Sequence, residues 1–402
     1  MHYLPRTLEK RLPAVSAQFP VLLITGPRQV GKTTLLQKLA TPDRRAVTLD
    51  DHAVRTLAQQ DPALFLQRFP PPLLIDEIQY APELLPYIKM AVDASDKKGL
   101  FWLTGSQQFH LMKNITESLA GRVAIVNLLG FSHRERHQLH APQDDLFDIS
   151  SDTLAPLELG SLFNDIWRGA FPALATGQVL DRDLFYRSYI QTYLERDVRD
   201  LAQVGDQKTF YTFLKVCAAR TAQMLNLSDL ARDTDISVPT AKKYLSILEA
   251  SFQILLLPSY HGNITKRAIK APKLYFLDTG LCAYLTGWST PETLLSGAMN
   301  GAIFENHVVV EILKRYWFDL KNPALYYYRD KEKNEVDLLL ERDGRLHPIE
   351  IKLGSTPRTD WLSGIQKLQS AGLPLGNGII ISLSPRTLPL SSDINVVNVG
   401  VI

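Results

Sequence analysis

Apolar and polar positions alternate in blocks along the first third of the chain. Between residues 21 and 135, short apolar runs are separated by stretches of helical spacing, which predicts a parallel α/β sheet. The predicted strands are 21–25, 46–49, 73–76, 100–104 and 124–128. Their short, apolar character predicts strands covered on both faces. Pro70-Pro71-Pro72 breaks the chain just before the third. Residues 141–160 then hold five acidic residues and no Lys or Arg, which reads as a solvated linker or exposed loop. Residues 161–205 turn helical. Residues 208–260 read as a small helical module with a β-ribbon, and a second α/β unit begins near 301.

In the middle, 227–234 reads as a short helix capped by Ser228, and 238–251 as a second helix capped by Ser237. Ala241, Tyr244, Leu245 and Leu248 form the apolar stripe of the second, which turns Thr240, Lys242, Lys243 and Ser246 outward. That is helix–turn–helix spacing. Apolar 254–257 and a turn at 258–263 follow as a wing. The wing runs into Lys266, Arg267, Lys270 and Lys273, with no acid from 266 to 276, a charge pattern suited to phosphate contacts. A protein-binding or structural role for this module stays open.

Composition narrows the class. The 402 residues predict about two to four domains. A hydrophobic fraction of 45% and a charged fraction of 21% are those of a globular protein, and a net charge of +2 says little about partners. No apolar run approaches the roughly 20 residues of a membrane helix. The N-terminus lacks a signal-like apolar core, so the chain reads as cytoplasmic with no membrane contact. Cys217 and Cys282 read as packed thiols.

The chemistry is concentrated in three places. Gly26-Pro27-Arg28-Gln29-Val30-Gly31-Lys32-Thr33-Thr34 fits the P-loop pattern at every fixed position, between a strand and a helix. Its backbone N–H groups would cradle a polyphosphate, Lys32 would reach the β/γ-phosphates and Thr33 would ligate Mg²⁺. About fifty residues on, the strand 73–76 ends in Asp76-Glu77, at the end of a parallel strand where ligands bind. Asp76 would hold Mg²⁺ and Glu77 would polarise the attacking water. The next strand ends in Leu103-Thr104-Gly105-Ser106-Gln107, where Ser106, or else Thr104, could orient that water. ATP and Mg²⁺ are the implied cofactors. In the C-terminal part, Asp337 lies on a strand, and twelve residues separate it from Glu350-Ile351-Lys352. Glu350 and Lys352 project from one strand face beside Asp337, a set able to bind Mg²⁺ or Mn²⁺ and cleave phosphodiesters. Glu305 would complete the metal shell and Gln366 could touch the phosphate.

Several segments together carry a resemblance: the P-loop, Leu-Ile-Asp-Glu-Ile at 74–78, Leu-Thr-Gly-Ser at 103–106, Ser-Leu-Ala-Gly-Arg at 118–122, and the stretches 167–172, 193–197 and 272–281. Across essentially its whole length the chain resembles the bacterial and archaeal AAA-type ATPases that carry a C-terminal domain of unknown function. Ala170 stands where members often have a second glycine. The C-terminal Asp…Glu-x-Lys set resembles the PD-(D/E)-x-K nucleases, which include restriction endonucleases and Holliday-junction resolvases. The resemblance implies an α/β architecture: an AAA+ P-loop core at 1–140, a linker at 141–160 and a helical lid at 161–206. A winged helix at 207–263 and a restriction-endonuclease-like domain at 264–402 follow. By analogy with ring-forming AAA+ ATPases, Arg122 would reach into a neighbouring subunit's nucleotide site, in a homo-oligomer that favours a hexamer. The implied function is DNA-stimulated ATP hydrolysis that remodels DNA, branched or duplex. An ATP-gated nuclease and an ATP-dependent signalling switch with a protein-binding C-terminal half are the alternatives.

Overall fold

The structure, a computed structural model, describes residues 3–106, 115, 118–139, 145–149, 155–193, 207–262 and 270–402. It divides into two compact units. The first comprises Met1–Phe131, Ala250–Gln253 and Trp317–Lys321; the second comprises Ser132–Glu249, Ile254–Tyr316 and Asn322–Ile402. No helix of the described residues is long and apolar enough to cross a membrane.

The first unit holds a parallel sheet of β1 (Val21–Thr25), β2 (Arg45–Thr48), β3 (Leu73–Asp76), β4 (Phe101–Gly105) and β5 (Val123–Asn127), in the order β2-β3-β4-β1-β5. Because side chains alternate along a strand, Val21, Leu23, Leu73, Ile75, Phe101 and Leu103 share one core. Leu84, Leu85 and Ile88 of α2 (Leu84–Asp93) pack into the same core. Burying each such side chain contributes about 1.5–3 kcal/mol, so Ile75→Ala would cost about 2–5 kcal/mol with its cavity. The three central strands are buried as expected. The edges are not: β2 is largely exposed and β5 half-buried, since an edge strand has a neighbour on one side. The helix after the P-loop, α1 (Lys32–Leu39), starts directly at Lys32 because Gly31, at φ 90°, cannot continue a right-handed helix backward.

The second unit begins with α3 (His133–Arg136), α4 (Leu159–Arg168) and α5 (Arg182–Tyr193). α4 buries Leu162, Phe163 and Ile166. The chain then runs α6 (Gln207–Ala218), β6 (Gln223–Met224), α7 (Leu227–Asp233), α8 (Val238–Ala250), β7 (Ile254–Leu257) and β8 (Lys273–Phe276). These strands form a small antiparallel sheet in the order β6-β8-β7. Ser237 caps α8 as expected, accepting from Thr240 N at 3.2 Å, and Ala241, Tyr244, Leu245 and Leu248 are buried. The cap of α7 is Asn226 rather than Ser228, its carbonyl accepting from Ser228 N and Asp229 N. The start of the expected wing is not a free turn either. Tyr260 N donates to Tyr327 O at 2.6 Å and Tyr327 N to Pro258 O at 3.0 Å, which fastens 258–260 to the next sheet. Residues 263–269, with Lys266 and Arg267, lie outside the described residues, as do Gln107 and 194–197.

α9 (Thr279–Leu285) and α10 (Asn300–Phe318) lead into β9 (Ala324–Arg329), β10 (Glu335–Arg342) and β11 (Arg345–Ile351), an antiparallel set. α11 (Ser363–Ser370) then crosses to β12 (Gly378–Ser382), which is parallel to β11 and to β14 (Ile394–Asn398). With β13 (Leu388–Pro389) the six-stranded order is β13-β14-β12-β11-β10-β9. Segments 167–172 and 278–281 meet. Gly169, at φ 81°, lies so close to Gly280 that a Cβ on Gly280 would fall 2.5 Å from Gly169 Cα. Asp278 locks the contact, accepting from Ala170 N at 2.7 Å and from the Tyr186 hydroxyl at 2.8 Å.

Candidate functional site

In the first unit, β4 lies between β1 and β3, so the P-loop and the acidic pair leave the sheet on either side of it. Gly26 has φ 150°, and a Cβ there would fall 1.9 Å from the Leu128 carbonyl oxygen, so this turn accepts glycine alone. Gln29 and Gly31 also take positive φ. The buried Lys32 ammonium donates to Gly26 O at 2.9 Å and Pro27 O at 2.7 Å, within the curve of the loop.

Asp76 gathers hydroxyls. Its Oδ1 accepts from Thr33 and, at 2.6 Å, from Thr104; its Oδ2 accepts from Thr48 at 3.4 Å. The Thr33 and Asp76 oxygens that sequence assigned to Mg²⁺ are thus adjacent, a hard-oxygen donor set of the kind that ion takes. Glu77 sits in the left-handed region at φ 59°, an uncommon conformation for a non-glycine residue. Its N–H donates to Thr104 Oγ1 at 3.0 Å. Its Oε2 accepts from the Gln79 amide and from Ser106 Oγ at 3.4 Å, and Gln79 also donates to Ser106 at 3.2 Å. Thr104 and Ser106 therefore serve different carboxylates, not one site with a first and second choice. Gln79 was missed by sequence reasoning, although its position two residues after Glu77 was a usable signal. Arg122 is held within its own chain: Nε and Nη2 donate to the two oxygens of Asp93, at 2.5 and 3.0 Å.

In the second unit, the antiparallel register that sets Leu338 opposite Ile349 brings Asp337 beside Glu350. Ile351 N donates to Asp337 Oδ2 at 2.9 Å. Lys352 Nζ lies 2.7 Å from Glu350 Oε2 and 3.8 Å from Asp337 Oδ2. Glu350 is buried, and its Oε1 has no hydrogen-bond partner among the described residues. Burial, then the Asp337 charge, pushes the Glu350 carboxyl well above its usual range. A bare carboxylate oxygen beside a second acid fits a hard divalent cation. Gly364 of α11 backs the cluster: a Cβ there would meet Glu350 Oε1 at 2.7 Å, whereas Gln366 is exposed.

Glu305 and Lys273 need correcting. Lys273 is buried, its ammonium 3.0 Å from Glu305 Oε1 and paired with Glu335 at 2.5 Å, so it is withdrawn from the DNA-contacting set. The oxygen of Glu305 expected to complete a metal shell already accepts from Lys273 and, at 2.6 Å, from the Tyr275 hydroxyl. Burial, then Asp337, raises the Glu305 carboxyl to about 7. Lys242, Lys243 and Lys270 are exposed and Thr240 is half-buried.

Three family models match successive stretches of the chain. A family model described as "AAA domain" matches residues 18–137. Two described as domains of unknown function, DUF8612 and DUF4143, match residues 160–292 and 300–402. An uncharacterized protein of Mycobacterium tuberculosis is 31% identical over 391 residues, covering 97% of this chain and 82% of its own length. An uncharacterized protein of Mycobacterium bovis matches to the same extent. A Walker-type ATPase of Pyrococcus abyssi is similar at 16% identity and a TM-score of 0.42, over 70% of this chain and 96% of that one. The first unit is an AAA-type P-loop ATPase domain. With the mycobacterial match along nearly its whole length, the chain belongs to the family of AAA-domain proteins that those relatives represent.

Proposed function

We propose that this ATPase is Mg²⁺-dependent, works as a ring-type homo-oligomer and acts on DNA, duplex or branched. The loop N–H groups of residues 26–34 and the start of α1 bind the phosphates. Lys32 exchanges the Gly26 and Pro27 carbonyls for phosphate oxygens, and Thr33 and Asp76 hold the ion, which neutralises phosphate charge. Glu77 takes the proton of the attacking water while Gln79 and Ser106 fix its carboxylate. Arg122 serves a neighbouring subunit's site once it leaves Asp93.

The observation that carries the DNA reading is the order α6-β6-α7-α8-β7-β8 with its β6-β8-β7 sheet. That is the order of a winged helix, and exposed Lys242 and Lys243 stand on the helix suited to a major groove. ATPase rates without DNA and with single-stranded, duplex and four-way-junction DNA test it. Stimulation by at least one form, weakening as salt rises, is expected. A rate indifferent to every form sinks the reading.

A nuclease reading is favoured by the convergence of Asp337, Glu350 and Lys352 around the bare Glu350 Oε1. A bound Mg²⁺ or Mn²⁺ would supply an activated water there, and Lys352 would sit beside the developing charge. Plasmid and junction DNA incubated with either ion should be cut by the wild type and not by Lys352→Ala. Cutting that survives this substitution belongs to another source.

A further inference from the structure

His133 opens α3, His137 follows its end, and Asp165 lies on α4. Three of their atoms converge. Asp165 Oδ2 is 2.6 Å from His137 Nε2 and 3.6 Å from His133 Nδ1, and all three atoms lie within 4.8 Å of one another. The two rings lie 4.5 Å apart, centroid to centroid. The His133 side chain is 6% exposed, and its Nδ1 has no hydrogen-bond partner among the described residues. Buried there, that nitrogen has lost its water, and Asp165 Oδ2 at 3.6 Å only partly replaces it.

The surroundings hold these donors in place. Ser132 and Glu135 form a capping box at the start of α3, and His133 N donates to Glu311 Oε2 at 2.8 Å. Arg136 Nη1 lies 2.9 Å from Asp165 Oδ1, which turns the other oxygen toward the two rings. Ligating carboxylates are themselves hydrogen-bonded by outer partners, and Arg136 fills that place here. His137 is 37% exposed, so the cluster opens to solvent on one side.

We propose that His133, His137 and Asp165 bind a divalent transition-metal ion of the zinc class. Two neutral imidazoles and one carboxylate are borderline donors that suit Zn²⁺ or Co²⁺, whereas Mg²⁺ and Ca²⁺ prefer all-oxygen shells. Three protein ligands leave a coordination position on the side of His137, where solvent enters. The bound ion joins α3 to α4. None of its three residues belongs to the P-loop or to the Glu350 cluster.

The test uses the full chain, freed of metal with a chelator, in an Asp76→Asn, Asp337→Asn background that weakens the two oxygen-rich sites. Zn²⁺ is titrated by calorimetry, and Co²⁺ is followed by its visible absorption. A single tight equivalent is expected, with a Co²⁺ spectrum carrying nitrogen-ligand bands. His137→Ala should weaken Zn²⁺ binding by about 100-fold or more and abolish those bands. His137 is partly exposed, and circular dichroism checks that this variant stays folded, so the result stands even where His133→Ala does not fold. Equal Zn²⁺ affinity in the wild type and His137→Ala, or no binding at millimolar Zn²⁺, overturns the proposal and leaves the cluster an ion-pair network.

Discussion

The Gln79 side-chain amide donates to the Glu77 carboxylate, so the proposed base of the ATPase is gripped by a residue of its own turn. Glu77→Gln is expected to keep ATP binding and lose hydrolysis by about 10²–10⁴-fold. Gln79→Ala, which frees the carboxylate without removing it, should cost between about tenfold and 10²-fold in turnover, with nucleotide affinity unchanged. Single-turnover hydrolysis beside nucleotide binding separates the two. A Glu77→Gln enzyme with normal turnover would remove Glu77 from the mechanism.

Asp93 competes for Arg122. If Arg122 serves a neighbouring subunit, Arg122→Ala should lower turnover by about 10³-fold. Mixing it with Lys32→Ala subunits should restore part of the rate, because some interfaces then hold an intact loop and an intact arginine. Asp93→Asn should not lower the rate, since it releases the arginine. No recovery at any mixing ratio argues against a shared site.

Lys273 lies buried between Glu305 and Glu335, and removing its charge leaves both acids facing each other. Lys273→Met is expected to destabilise the second unit by about 3–5 kcal/mol in denaturant titrations. The loss should be larger at pH 8 than at pH 6. Glu305, already raised to about 7 by burial and Asp337, can take up a proton at the lower pH and become neutral. Adding Glu305→Gln should recover part of the loss, and a loss independent of pH contradicts this account.

His307 gives a second pH effect, of opposite sign. Burial first, with the Lys314 and His133 charges adding to it, holds its imidazole down at about 4 against an ordinary 6.5, although Glu311 opposes the shift. A lowered base contributes stability above its unfolded pKa and loses it as pH falls, here from about 6.5 toward about 4. The full contribution is on the order of 3 kcal/mol. It should be read as the difference between the wild type and His307→Gln, because the raised Glu305 and Glu350 tilt the whole curve the other way. A difference that stays flat over that window refutes it.

Lys242 and Lys243 stand exposed on the helix that the DNA reading places in a groove. Replacing both with glutamine should weaken DNA binding and lower its salt slope by about 2. Fluorescence anisotropy at several salt concentrations measures this. Unchanged binding moves the contact surface elsewhere.

Local signals and long-range ones fared differently. The strands Val21–Thr25 and Leu73–Asp76 are legible because central strands of a parallel sheet are apolar up to their last residue, here Thr25 and Asp76. The P-loop is legible because its glycines answer to backbone geometry, as Gly26 does against Leu128. The pairing of Asp337 with Glu350 follows from a hairpin closed by the short turn between Arg342 and Arg345. Lys273 was misread as a surface charge because the two acids that bury it stand thirty or more residues later. Gln79 escaped notice, and Thr104 was ranked behind Ser106, for a related reason: their value lies in which oxygen they touch, and no periodicity records that. Reading Ser228 as the cap where Asn226 serves shows that a helix start is uncertain by two residues.

The contact of Gly169 with Gly280 sets terms for anyone dividing this protein. Each segment presents bare backbone shaped to the other, and the Asp278 carboxylate accepts from Ala170 N in one and Leu281 N in the other. A fragment ending near residue 206 or 263 keeps one glycine and loses its counterpart, exposing a surface that no side chain can cover. Such a piece would aggregate or melt for reasons unrelated to its chemistry, and its silence in an assay would be misread as lack of function. The shortest honest fragment of the second unit spans both glycines.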